Sequence, residues 1–173
     1  MHDDQRRIAF EILYAEHAAP LYRFALRLCG NREDAEDLAA EALAQAYRRL
    51  DGYRGDSSHR TWLCSIVLNQ LRMKARKRRV EVDPLEQVRQ VATSLGHEDV
   101  ELAEAICGLS EPLRQAFLLV KGEGLTHAEA AKVLRVPVGT MYFRVSAAVR
   151  QLRSSLNPVV ADKDPAREAP CKP

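Results

Sequence analysis

Apolar residues recur three or four positions apart in segment after segment of this chain, the spacing at which side chains line up on one face of an α-helix. Ala35, Leu38, Ala39, Ala42, Leu43, Ala46 and Leu50 make one stripe. Val100, Leu102, Ala103, Ile106 and Leu109 make a second, and Val138, Met141, Val145, Ala148 and Leu152 a third. The pattern predicts an all-α protein. Start signals support it: Asn31 can cap the helix of the first stripe with Asp34 in its opening turn, and Ser110 followed by Glu111 and Pro112 opens another. Leu113, Phe117, Leu118 and Val120 are then expected to pack under the last stripe.

The pattern weakens in EVDPLEQVRQVATSLGHED, where Pro84, Gly96 and mixed charges read as a linker with a short helical piece at Leu85 to Val91. After Leu156 the tail NPVVADKDPAREAPCKP is rich in proline and charge and reads as disordered. The expected organisation is two small helical domains, over 10–80 and 100–156, joined by a linker over 81–99 and followed by a tail over 157–173.

Polar faces carry the candidate chemistry. From Leu125 to Arg153 the chain reads as two short helices joined by a tight turn. Thr126 and Glu129 form a capping box at the start, Ala130, Ala131 and Leu134 let a second helix cross closely, and Pro137 marks the new start. Opposite the buried stripe of that second helix, Phe143 and Arg150 point outward, flanked by Thr140, Tyr142, Ser146, Ala147 and Arg153. Outward aromatics need a cover, which base edges, thymine methyls or a partner protein would supply. The alternative is a small helical hairpin whose outward aromatics are incidental or pack on the other half of the chain.

In the first half, Asp34, Asp37, Glu41, Gln45 and Arg48 share the face opposite the apolar stripe, a mainly acidic surface. By itself it reads as a solvated helix face. The basic run RMKARKRR, containing Arg72, Lys74, Arg76, Lys77, Arg78 and Arg79, follows the apolar stretch TWLCSIVLNQL without a breaker. One helix is therefore expected to begin near Thr61, packed at one end and charged for phosphates at the other. Trp62 serves there either as a core anchor or as a base-stacking ring.

With 173 residues and a net charge of only +2, nucleic-acid binding has to rest on local segregation of charge. No apolar run is long enough to span a bilayer and the start MHDDQRR lacks a signal-peptide core, so a cytoplasmic location is the default expectation. Cys29, Cys64, Cys107 and Cys171 show no ligand spacing and read as reduced thiols. Four carboxylates in DAEDLAAE could in principle hold magnesium, but Glu36 points away from the face of Asp34, Asp37 and Glu41. No second ligand cluster, catalytic pair or phosphate-cradling glycine loop accompanies them, so neither enzyme activity, a metal nor a cofactor is expected.

GTMYFR followed by AAVRQLR resembles the end of region 4 in group IV (extracytoplasmic-function, ECF) sigma factors of bacterial RNA polymerase, whose usual form is close to GTVKSR and RARxxLR. LYRFALRLCGNREDAEDLAAEALAQAYRRLDGYRG resembles regions 2.1 to 2.2 of the same family, and SSHRTWLCSIVLNQLRMKARKRR resembles regions 2.3 and 2.4. The likeness runs from about Phe10 to Leu156. It implies core RNA polymerase as partner, through the β′ coiled coil and the β subunit, with Asp34, Asp37 and Glu41 at the β′-binding positions. It also implies promoter DNA as ligand. Trp62, Asn69, Arg72, Lys74, Arg76, Lys77 and Arg78 would lie on the −10 element, and Thr126, Thr140, Tyr142, Phe143, Arg144, Ser146 and Arg150 on the −35 element. An anti-sigma factor is the further implied partner.

Departures from the pattern bear on the second reader. Arg135 stands where a glycine commonly ends the first helix and Pro137 where a capping serine is frequent, so a different turn geometry is expected. Tyr142 and Phe143 replace a basic residue and a serine, and Ala147 and Val149 replace arginines. In the first domain Ala40 stands for a glutamine and Met73 for an aspartate. Two other readings stay open on sequence grounds: a stand-alone helix-turn-helix regulator, and an adaptor that mimics a sigma factor and sequesters its regulators.

Overall fold

A computed structural model describes residues 3–77 and 100–156 and contains only helices and turns among them. Helix α1, Asp3–Cys29, runs through Pro20 and ends at Gly30, whose φ of 76° suits a residue without a β-carbon and whose amide bonds back to the Leu26 carbonyl at 2.8 Å. Leu21, Phe24, Ala25 and Leu28 form its buried face. Helix α2, Arg32–Arg49, opens on Asn31, whose side chain accepts from the Asp34 amide at 2.8 Å. Ala35, Leu38, Ala39, Ala42 and Ala46 are buried against α1 and α3. After a 3-10 turn at Leu50–Gly52, α3 runs from His59–Lys77 as one helix, starting two residues before the expected Thr61.

The second half contains α4 (Val100–Cys107), α5 (Glu111–Phe117), α6 (His127–Leu134) and α7 (Val138–Leu156). Helix α5 passes into a π-helical turn, Leu118–Gly122, and Leu118 and Leu119 are buried there. The capping box is present in full, with Thr126 Oγ1 accepting from the Glu129 amide and the Glu129 carboxylate accepting from the Thr126 amide at 2.9 Å. Met141, Val145, Ala148 and Leu152 of α7 are buried as expected.

Three local expectations change. Val100 and Val138, the first residues of α4 and α7, are 42% and 43% exposed rather than part of the buried stripes. Ser110 occupies the capping position of α5 without a side-chain bond to it. The turn after α6 keeps the usual left-handed geometry despite lacking glycine: Arg135 itself takes φ 56° and ψ 47°, and the Val136 amide reaches the Ala131 carbonyl at 3.0 Å. The linker, its helical piece at Leu85 to Val91, the tail, and Arg78, Arg79 and Cys171 lie outside the described residues.

The buried side chains of both halves form one continuous cluster, from Phe24, Leu63 and Val67 to Leu118, Leu134 and Met141. Helix α3 packs on α6, so the halves close on each other rather than standing apart.

Candidate nucleic-acid and partner interfaces

On α2, Asp37 and Glu41 are exposed and Asp34 half-exposed. Asp34 also accepts from Asn31 Nδ2 at 2.9 Å, so the capping asparagine fixes its carboxylate. The acidic face is not separate from the basic helix beside it. Lys74 lies 3.4 Å from Glu41 and 3.8 Å from Asp37, so one cation expected on nucleic acid is shared with the acidic stripe. Arg76 and Lys77 continue α3.

Trp62 is half-buried, with its ring 4.9 Å from Tyr53, which itself lies 4.7 Å from His59. The ring is thus anchored at one edge and open at another. Asn69 accepts from Arg72 at 3.3 Å, and the same guanidinium donates to the Leu134 carbonyl at the end of α6 at 3.4 Å. Arg72, one of the residues expected to read the first promoter element, is therefore in contact with the other half of the chain.

A charged cluster that the sequence reading did not single out holds the halves together. Arg27 of α1 donates to the Glu123 carboxylate at 2.9 Å, and Arg60 of α3 donates to the Glu123 carbonyl at 3.0 Å. The Glu123 side chain is only 6% exposed. Burial pushes its pKa above the usual carboxylate range, against the pull of Arg27 and Arg60, and the same burial lowers that of Arg27. Thr61 donates to Glu129 at 3.4 Å and Arg114 reaches the Leu28 carbonyl at 3.5 Å. The hint in the sequence was an acidic residue close to the apolar run LLV and flanked by two glycines in LLVKGEGL.

On the second reader, Tyr142 and Phe143 are 56% and 68% exposed, with Ser146, Arg150 and Arg153 also exposed and Thr140, Arg144 and Ala147 half-buried. The Tyr142 ring stacks on His127 at 4.1 Å and 11°. Thr126, although exposed, already uses its hydroxyl in the capping box. Cys29 and Cys64 lie in the packed helices, where burial pushes the Cys29 thiol up to about 12 and raises that of Cys64. Among the described residues no group of three or more His, Cys, Asp or Glu is placed to hold a metal ion, and no helix is long and apolar enough to cross a membrane.

Residues 13–81 match the family described as Sigma-70 region 2, and residues 99–152 that described as Sigma-70, region 4. The ECF RNA polymerase sigma factor EcfG of Rhodopseudomonas palustris is 32% identical over 146 residues, covering 80% of this chain and 81% of that protein. Among solved structures, the sigma factor RpoE from Bartonella quintana, in complex with the anti-sigma factor NepR, superposes with a TM-score of 0.66 at 25% identity, over 84% of this chain and 94% of that one. CnrH in complex with the cytosolic domain of CnrY gives 0.67 at 25% identity, over 88% and 90%.

Proposed function

The chain belongs to the sigma-70 family, in its ECF group of RNA polymerase sigma factors, and from that premise we propose how its surfaces divide the work of promoter-specific initiation. The α2 face of Asp34, Asp37 and Glu41 docks on core RNA polymerase, where acidic side chains meeting basic ones set orientation and on-rate. Helix α3 engages the −10 element and assists strand opening, with Trp62 near its start, Asn69, Arg72, Lys74, Arg76 and Lys77 along its second half, and Arg78 next in the sequence. The outward face of α7, with Thr140, Tyr142, Phe143, Arg144, Ser146 and Arg150, lies in the groove of the −35 element, with Thr126 beside it. An anti-sigma factor holds the chain inactive, a reading supported by the similar sigma factor RpoE, whose structure is a complex with the anti-sigma factor NepR. The chain works in the cytoplasm, where the polymerase is.

The observation that carries this reading is that each half presents a long helix, packed on one side, along which its candidate reading residues lie. The closed arrangement adds a step. Elements centred near −10 and −35 are about 25 base pairs apart, or about 85 Å along the duplex at ~3.4 Å per pair. Two readers that touch through α3 and α6 cannot address both. Docking on the polymerase therefore has to separate the halves, breaking the Arg72 to Leu134 and Glu123 contacts described above.

The test is binding of purified core RNA polymerase to wild type and to a variant carrying Asp34→Lys, Asp37→Lys and Glu41→Lys, with circular dichroism to confirm folding. Tight binding lost in the folded variant is the expected result. Failure of the folded wild type, free of any anti-sigma factor, to bind core would overturn the reading.

A further inference from the structure

The second reader presents an aromatic edge where a groove-reading helix needs its contacts. Tyr142 and Phe143 lie in the first half of α7, the end that a helix-turn-helix unit places against base edges. They are the most exposed aromatic side chains of the second half. His127, the first residue of α6, stacks flat on Tyr142, so a ring pair bridges both helices of the motif and Tyr142 is held in place. Behind the pair lies a groove of about 580 Å³ with Val145 and Val149 among its lining and Lys121, Arg150 and Arg153 around them, beside His127 and Ser146. Its three cations are of the kind that meets phosphates on either side of a major groove.

The Phe143 ring carries no hydrogen-bonding group, and Tyr142 carries one only at the tip of its ring. In the major groove the apolar feature that distinguishes one base from another is the C5-methyl of thymine. We propose that this sigma factor recognises its upstream promoter element through thymine methyl groups, with Phe143 and Tyr142 as the contacting side chains and His127 as the positioning residue that fixes the Tyr142 ring. The inference rests on the reading of α7 as the −35 reader and specifies what that reader selects. Discrimination comes from apolar contact, while Lys121, Arg150 and Arg153 supply affinity that is indifferent to sequence and sensitive to salt.

The experiment uses holoenzyme reconstituted from the full chain and core polymerase, selecting from promoter fragments randomised across the upstream element. Thymine enrichment is expected there. Replacing each enriched thymine by uracil, which pairs alike but lacks the methyl, should weaken binding about fourfold per contacted methyl, the factor that burial of one methyl-sized group corresponds to at 25 °C. Phe143→Ser, at an exposed position, should keep its thermal stability and lose the thymine preference. His127→Ala should reduce the thymine-to-uracil ratio without changing the salt dependence, and His127→Phe, which keeps a stacked ring, should restore it. Equal affinity of the wild-type holoenzyme for thymine and uracil sites, or full discrimination in Phe143→Ser, would overturn the proposal. An absence of any enrichment across the randomised window would instead remove the −35 reading beneath it.

Discussion

Arg135 shows at the scale of one residue how a departure from a family pattern is absorbed. A β-carbon in the left-handed region costs roughly 1–2 kcal/mol, yet the backbone keeps the bond from the Val136 amide to Ala131 that ends the helix. The turn geometry is imposed by how α6 and α7 pack, and the side chain complies. Arg135→Gly should therefore raise the stability of the chain by about 0.5–1 kcal/mol, part of the relieved strain being offset by glycine's greater freedom when unfolded. Thermal unfolding would show a midpoint a few degrees higher. Lys74 is the second informative residue, because it sits between two surfaces proposed for different ligands. Its contacts are solvent-accessible and each is worth ~1 kcal/mol or less. Lys74→Ala should strengthen core polymerase binding about twofold to threefold by freeing Asp37 and Glu41, and should weaken binding of the −10 strand. Parallel titrations against core and against promoter DNA check the opposite signs.

Helices are the scale at which the sequence was most legible. The capping box and the stripe from Met141 to Leu152 put α6 and α7 where they are, because caps and periodicity act within one or two turns. Helix α1 was less legible: Pro20 suggests a break, and Ile8, Ile12 and Tyr14 are exposed, so its first turns carry no clean buried stripe. The contact between the halves was not legible at all. Arg27, Arg60 and Glu123 come from three elements, 96 and 63 residues apart in the two pairings, and no local pattern links them. For the proposed sites, the sequence put Tyr142 and Phe143 on an outward face but could not show the His127 ring against Tyr142. The capping box also makes a prediction about pH. Hydrogen bonds from the Thr126 side chain and amide hold the Glu129 carboxylate below its ordinary value of 4.5. A depressed carboxylate stabilises the folded state above its unfolded pKa, and that contribution disappears as pH falls through the folded one. Stability measured against pH should therefore fall more steeply below about 4.5 in wild type than in Glu129→Gln, where this component is absent.

At the scale of the whole molecule, the Glu123 cluster decides how firmly the halves close. Removing one member of a buried pair leaves the other charged and uncompensated, at a cost of about 3 kcal/mol or more, whereas replacing both by apolar groups is often near neutral. Glu123→Ala should accordingly separate the halves, since Arg27 is itself mostly buried, while Arg27→Met combined with Glu123→Leu should return much of the closed form. Distances between fluorophores at exposed Ala44 and Ser154 would report the difference. Closure through α3 and α6 has a consequence for how the protein spends its time in a cell. A genome offers about 10⁶–10⁹ non-specific sites to any exposed basic helix. With the Arg72 guanidinium turned onto the Leu134 carbonyl and Lys74 beside the acidic face, two of the cations proposed for the −10 element are engaged within the free chain, which should weaken its hold on random DNA. On that reading free copies stay available to compete for polymerase, and the search for promoters is left to the assembled holoenzyme.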